Sequence, residues 1–221
     1  PNRTPLARSR SYRYFMSQYG NDELTFIFTR DKKLLKQYVE LRQFLYKHDP
    51  FFKGFRFFDY LEEEDYNKPQ IQTLLIFHEN RCVGGGCLTV STPQARVLLS
   101  MEEDLGSAAE NSSFLQKTFS ELHLEQENYC EFNRIVVHPD YRRGDCTKTM
   151  FCHIVRQAKA QSVRYMFGMG DALRLRLYKK ICMNEFGMKS TTYSKIKLPV
   201  KSDYEGVRMY IQMVDVATAS L

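Results

Sequence analysis

The segment HPDYRRGDC at 138–146 has the residue types an anion site needs. It follows the apolar run CEFNRIVV at 130–137. It precedes a stretch in which Met150, Phe151, Ile154, Val155 and Ala158 share one helical face. A strand that feeds a helix through a glycine turn leaves the first helical N–H groups unpaired and convergent, where a phosphate accepts them. Gly144 lets a ligand approach the backbone, and Arg142, Arg143 and Lys148 surround the helix start with positive charge. The same residues also fit a solvated basic turn in which Asp145 caps the helix. On the strand itself Glu131 and Arg134 are three apart. A regular strand points them to opposite faces, whereas a β-bulge between them turns both toward one cleft. A cross-sheet ion pair is the alternative.

Other chemistries find less support. Cys82, Cys87, Cys130, Cys146, Cys152 and Cys182 form no CxxC or CxxH pair, so no zinc or other metal site and no disulfide framework is expected. Reduced thiols in a cytoplasmic setting are the expectation. Cys146, at the predicted helix start beside Arg143, is the one thiol in an acidifying position, the setting of a nucleophile. His138 precedes Pro139 and reads as structural. A net charge of +6 favours anionic partners such as phosphates, a coenzyme or an acidic carrier protein. With 32 basic against 26 acidic residues the excess is mild, and neither an RNA-binding aromatic motif nor a zinc finger is present, so no nucleic acid partner is expected. The longest apolar run, LLIF at 74–77, is interrupted by His78 and Glu79, and no membrane span is expected.

Elements must position these groups. The 221 residues, 43% hydrophobic and 14% aromatic, suffice for one sizeable core. Residues 1–23 read as a basic N-terminal arm, because Arg3, Arg8, Arg10 and Arg13 all precede the first acid, Asp22. Residues 24–221 read as a single domain. A strand at 24–30 is followed by a helix with Leu34, Leu35, Tyr38, Leu41 and Leu45 on one face. Residues 49–68, crowded with Phe and then acids, fit no period and read as a long loop. Two strand-like runs flank a turn at Glu79, Asn80 and Arg81, and Gly84, Gly85 and Gly86 inside the second suggest a pocket wall. The polar stretch 102–113 shows no chemistry and leads to a helix at 114–124. Strands follow near 163–169, 191–198 and 207–214, with a helix at 172–182. Alternating strands and helices ending in a hairpin make one mixed α/β domain.

The turn VVHPDYRRGDC with its following helix resembles the phosphate signature of the GCN5-related N-acetyltransferase (GNAT) superfamily. The stretch DALRLRLYKKICMNEFGM is similar to that superfamily's C-terminal helix. The resemblance implies the GNAT-like acyl-CoA N-acyltransferase fold, a central twisted mixed sheet flanked by helices. It places the donor pyrophosphate along Val136, Val137, Arg142, Arg143, Gly144, Asp145, Cys146, Thr147 and Lys148. It makes Tyr178 the acid that protonates the departing thiolate. Within the superfamily the chain is similar to the acyl-homoserine-lactone synthases and N-acyl amino acid synthases. The likeness runs through Leu41 and Arg42 on the first helix, Glu64 to Asn67 in an acidic loop, Val83 and Gly84 in the hairpin, and Glu131 to Arg134 on the strand. Cys87 stands where the lactone synthases carry an Arg, Asn67 replaces an acid, and the chain has no Trp, so an N-acyl amino acid synthase fits better than a lactone synthase.

The resemblance implies transfer of an acyl group, of long chain, from an acyl carrier protein or coenzyme A thioester to the amine of an amino acid, without a permanently bound cofactor. Glu131 then accepts the amine proton, and Arg134 or Arg42 holds a carboxylate. Phe55, Phe57 and Phe58 line an acyl tunnel, with Glu64 and Cys87 on the substrate side. Under the same resemblance Cys146 would serve an acyl-cysteine route. Arg156, Lys159, Arg164, Arg174, Arg176, Lys179 and Lys180 suit an acidic carrier. Two alternatives stand beside this reading: an acetyl-coenzyme A dependent acetyltransferase of a small amine or peptide, and a non-catalytic module that binds acyl thioesters.

Overall fold

A computed structural model describes residues 24–54, 68–104, 114–142, 145–193 and 207–220. The expected basic arm, the acidic loop with Phe55, Phe57, Phe58 and Glu64, and Arg143 and Gly144 of the turn lie outside these residues.

The strands are β1 (Leu24–Thr29), β2 (Ile71–His78), β3 (Arg81–Ser91), β4 (Tyr129–Val137), β5 (Tyr165–Gly170), β6 (Lys189–Tyr193) and β7 (Tyr210–Asp215). The helices are α1 (Lys32–His48), α2 (Ser100–Asp104), α3 (Phe114–Thr118), α4 (Cys146–Ala160) and α5 (Ala172–Phe186). One seven-stranded sheet runs in the order β1-β2-β3-β4-β5-β7-β6. All its neighbours pair antiparallel except β4 and β5.

Each helix follows from its residues. Asp31 caps α1 by accepting from the amides of Lys33 and Leu34, and Leu35, Tyr38, Leu41, Arg42 and Leu45 form its buried stripe. On α4 the buried residues are Met150, Phe151, Ile154, Val155 and Ala158, the predicted face, joined by Cys146. α5 runs four residues past its predicted end and stops at Gly187, whose φ of 63° lets its N–H reach back to the last carbonyls. α4 and α5 cover one face of the sheet, over Leu74, Ile76, Leu88, Cys130, Phe132 and Met166. α1 covers part of the other, over Leu75, Phe77, Cys87 and Val136. A third cluster built on Phe119, Tyr129, Phe167 and Ile211 continues that second face.

Three expectations change. The helix predicted at 114–124 ends at Thr118 and gives way to a 3-10 turn at Ser120–Leu122, which His123 closes in a left-handed conformation with φ 49°. The glycine run is not a pocket wall. A Cβ on Gly84 would sit 2.9 Å from the Val136 carbonyl oxygen, one on Gly85 2.5 Å from that of Leu74, and one on Gly86 2.5 Å from the Phe132 ring. The protein's own backbone and rings fill the space a ligand was expected to use. The polar stretch at 102–113 opens on a fully buried carboxylate, since Glu102 accepts from the amides of Leu99 and Leu115, both at 3.1 Å. Glu102→Ala leaves two core amides unsatisfied. It is expected to cost about 3 kcal/mol in urea unfolding, and a loss below about 1 kcal/mol would show that water replaces the carboxylate.

Candidate active site

Among the described residues the parallel pair β4–β5 is the shortest ladder in the sheet. It holds at Tyr129–Tyr165, Cys130–Met166 and Glu131–Phe167, and beyond these pairs the strands separate, although β4 continues to Val137 and β5 to Gly170. On its other side β4 stays bonded to β3 with a register shift. Gly85 faces Val136 and Cys87 faces Asn133, so Arg134 and Ile135 oppose Gly86 alone. This is a β-bulge, and Arg134 is its left-handed residue with φ 55°. The bulge reverses the strand's alternation: Cys130 and Phe132 face the α4 side before it, Ile135 and Val137 after it. The Tyr38 hydroxyl of α1 donates to the Arg134 carbonyl and fastens the bulge from the opposite face. Non-glycine residues adopt this conformation at a cost, so the fold maintains the distortion where the strands part.

Between the parted strands lies a cavity of about 20 Å³, lined among others by Phe132, Ile135, Phe151, Gly168, Tyr178 and Cys182. It has room for one water molecule. A gap between two parted strands is where an extended amide-bearing arm can be held. Tyr178, in the second turn of α5, packs against Phe151 with ring centroids 5.1 Å apart. Burial pushes its phenol well above the ordinary range, only partly opposed by the charges of Arg174 and Arg142. It therefore keeps its proton at neutral pH.

The turn between β4 and α4 is firmly mounted. Tyr141 shares a 2.7 Å hydrogen bond with His78 Nδ1 of β2, and Arg142 donates from Nε to the Val137 carbonyl at 2.8 Å. Val136 and Val137 are core side chains paired to Gly85 and Gly84, so any contact with a donor is through backbone. Asp145 precedes α4 without placing its side chain on the first amides, against the capping alternative. Thr147 is half-buried in the first turn, and Lys148 pairs with Glu185 of α5 at 2.7 Å. Cys146 corrects an expectation. Although it opens a helix, it is 6% exposed and burial pushes its thiol up to about 12, so the acyl-cysteine route has no nucleophile here. Cys182 is likewise pushed up to about 12 by burial.

Glu131 shares with its cross-strand partner Thr89 the face turned away from α4 and α5. It is 3% exposed, and its Oε2 accepts from the Met101 amide at 3.1 Å. Arg42 is buried, its guanidinium 5.8 Å from the Tyr38 ring centroid and 5.4 Å from that of Tyr46. Cys87 is fully buried against Thr73. Of the expected basic surface, Arg174 is buried, while Arg164 and Lys159 are exposed, Arg164 pairing with Glu127 at 2.5 Å and Lys159 donating to the Ala219 carbonyl.

Sequence reasoning missed the groups that crowd the cleft's open end. Asp49 forms an ion pair with Arg142, and Arg174 bonds Asp171 and the Phe51 carbonyl. Their partners are 93 and 123 residues apart, beyond the reach of any local pattern. Among the described residues no group of His, Cys, Asp and Glu could hold a metal ion, and no helix is long and apolar enough to cross a membrane.

No protein-family model matches the sequence, and a search of curated proteins finds no match. Solved structures do match. FeeM, an N-acyl amino acid synthase from uncultured soil microbes, superposes with a TM-score of 0.62 at 10% identity, over 89% of this chain and 93% of that one. BjaI, a coenzyme A dependent acyl-homoserine lactone synthase solved with SAM and isopentyl-CoA, gives 0.57 at 18% identity over 89% and 84%. NAA60 of Arabidopsis thaliana, in complex with acetyl-CoA, gives 0.55 at 12% identity over 87% and 97%. At these identities the likeness is one of architecture, and the chain has the acyltransferase fold of the GCN5-related N-acetyltransferases.

Proposed function

We propose that the chain is an N-acyltransferase that moves an acyl group, of long chain, from a coenzyme A or carrier-protein thioester to the amine of an amino acid. The observation that carries this reading is the parting of β4 and β5 at a bulge, with Tyr178 at the cavity between them. FeeM, an N-acyl amino acid synthase, and BjaI, an acyl-homoserine lactone synthase, support the same choice of reaction class.

In this reading the donor's phosphates meet the amides of α4's first turn and Arg142, and its thioester arm lies along the parted strands. The neutral amine attacks the thioester carbonyl: an N–C bond forms, the C–S bond breaks, and the sulfur leaves with the electron pair. Glu131, buried on the opposite face of the sheet, takes the amine's proton through a water, and Tyr178 gives its proton to the thiolate. Arg134 or Arg42 holds the acceptor's carboxylate.

Thiol release from the purified chain, with acetyl- and dodecanoyl-coenzyme A against a panel of amino acids and amines, tests the proposal. Faster release with dodecanoyl donor and a free amino acid is expected. A clear preference for acetyl with small amines would make it an acetyltransferase. Donor-induced thermal stabilisation without turnover on any amine would make it a binding module.

A further inference from the structure

Two arginines reach the open end of the cleft from its two sides. Arg142 follows β4, and Arg174 lies in the first turn of α5, which follows β5. Both guanidinium groups lie on the ring of Phe51, 4.9 and 4.2 Å from its centroid. Arg174 also donates to the Phe51 carbonyl, and Arg142 to the Asp49 carboxylate. The corner Asp49–Phe52, just past the end of α1, is thereby tied across the cleft mouth. The Asp49 side chain is 9% exposed and accepts from the Phe51 amide at 2.9 Å. Burial alone would raise its pKa, but the bonds from Arg142 and Phe51 and the charges of Arg142 and Arg174 outweigh burial and lower it. The carboxylate is thus an anion held at the one arginine of the donor turn that the structure describes.

The arrangement limits what else Arg142 can hold. Its Nε is spent on the Val137 carbonyl and one of its two terminal nitrogens on Asp49, so both of the two-nitrogen edges with which it could grip an oxyanion are already engaged at one atom at least. We propose that Asp49 is a built-in competitor: its carboxylate keeps the place at Arg142 that an oxyanion of the ligand takes, and the corner Asp49–Phe52 leaves the cleft mouth when that exchange occurs. The inference rests on the donor-site reading above and adds regulation to it. A tethered competitor weakens apparent affinity by the fraction of molecules in which its site is free. For a half-buried ion pair that fraction corresponds to roughly three- to ten-fold. The oxyanion is a donor phosphate or the acceptor's own carboxylate.

Asp49→Asn separates competition from architecture. Asparagine retains an oxygen for the Phe51 amide, and the backbone bond from residue 49 to the Leu45 carbonyl is untouched, so the change is confined to the atom facing Arg142, where a charged acceptor becomes an N–H donor. Titration calorimetry compares the wild type, Asp49→Asn, Arg142→Ala and the double variant, with coenzyme A, phosphate-free pantetheine and free amino acids as ligands. Coenzyme A is expected to bind Asp49→Asn about three- to ten-fold more tightly than wild type, pantetheine equally, and the gain should vanish when Arg142 is also replaced. A gain for amino acids alone supports the competitor with a carboxylate as the oxyanion. If wild type binds coenzyme A and Asp49→Asn binds it no better, or the gain survives without Arg142, the competitor idea is overturned and the donor site stands. If none of these proteins binds coenzyme A or an amino acid, the donor-site reading fails and takes the inference with it.

Discussion

Tyr178→Phe is expected to lower the turnover number by about 10²- to 10⁴-fold while leaving the affinity for coenzyme A unchanged. The phenol is the acidic group placed at the cavity between the parted strands, and burial holds it protonated across the neutral range. Phenylalanine preserves the ring contact with Phe151, so the helix keeps its seat and the loss isolates the missing proton. Steady-state thiol release gives the rate and calorimetry the affinity. A folded variant with wild-type turnover would remove Tyr178 from the mechanism. The sign of the pH effect is fixed: because the phenol titrates above its ordinary range, its deprotonation cannot cause an alkaline decline that begins near neutrality.

Gly85→Ala is expected to destabilise the protein by about 3 kcal/mol. The new methyl would lie 2.5 Å from the Leu74 carbonyl oxygen and 3.1 Å from both the Leu75 side chain and the Tyr38 ring. The first is backbone of a paired strand and cannot retreat without opening the β2–β3 ladder. Tyr38 is also the residue whose hydroxyl fastens the Arg134 bulge, so the same methyl disturbs the cleft from behind. Gly168→Ala is the contrast, for its Cβ would meet nothing nearer than the Phe132 carbonyl oxygen at 3.7 Å. Chemical denaturation of both variants is the measurement, and equal stability of the two would show that the β2–β3 ladder yields.

Much of this was legible in the sequence because the signals are local. The stripe on α1, the face of α4, the hairpin and the strand-turn-helix unit all follow from periodicities of a few residues, and the structure reproduces them. The bulge needed at Arg134 was foreseeable as a requirement of the Glu131–Arg134 spacing, but not as a left-handed arginine, since nothing in the residue type favours that conformation. The glycine run misled because a missing Cβ signals close approach without saying whose atoms approach. Cys146 misled because position at a helix start says nothing of burial, and burial decides its thiol. Glu102 and Asp49 were invisible as functional or structural groups. Each gains its meaning from partners that only tertiary structure brings near.

The short β4–β5 ladder also divides the sheet mechanically. Four strands lie on one side of it and three on the other, and among the described residues the two leaves are stitched by three residue pairs, the flanking bond from the Arg164 amide to the Asn128 carbonyl, and the helices laid over the seam. Any load that pries the leaves apart meets its least resistance there. A molecule inserted deep in the gap would act as a rivet, replacing with its own backbone-like groups the stitches the protein omits.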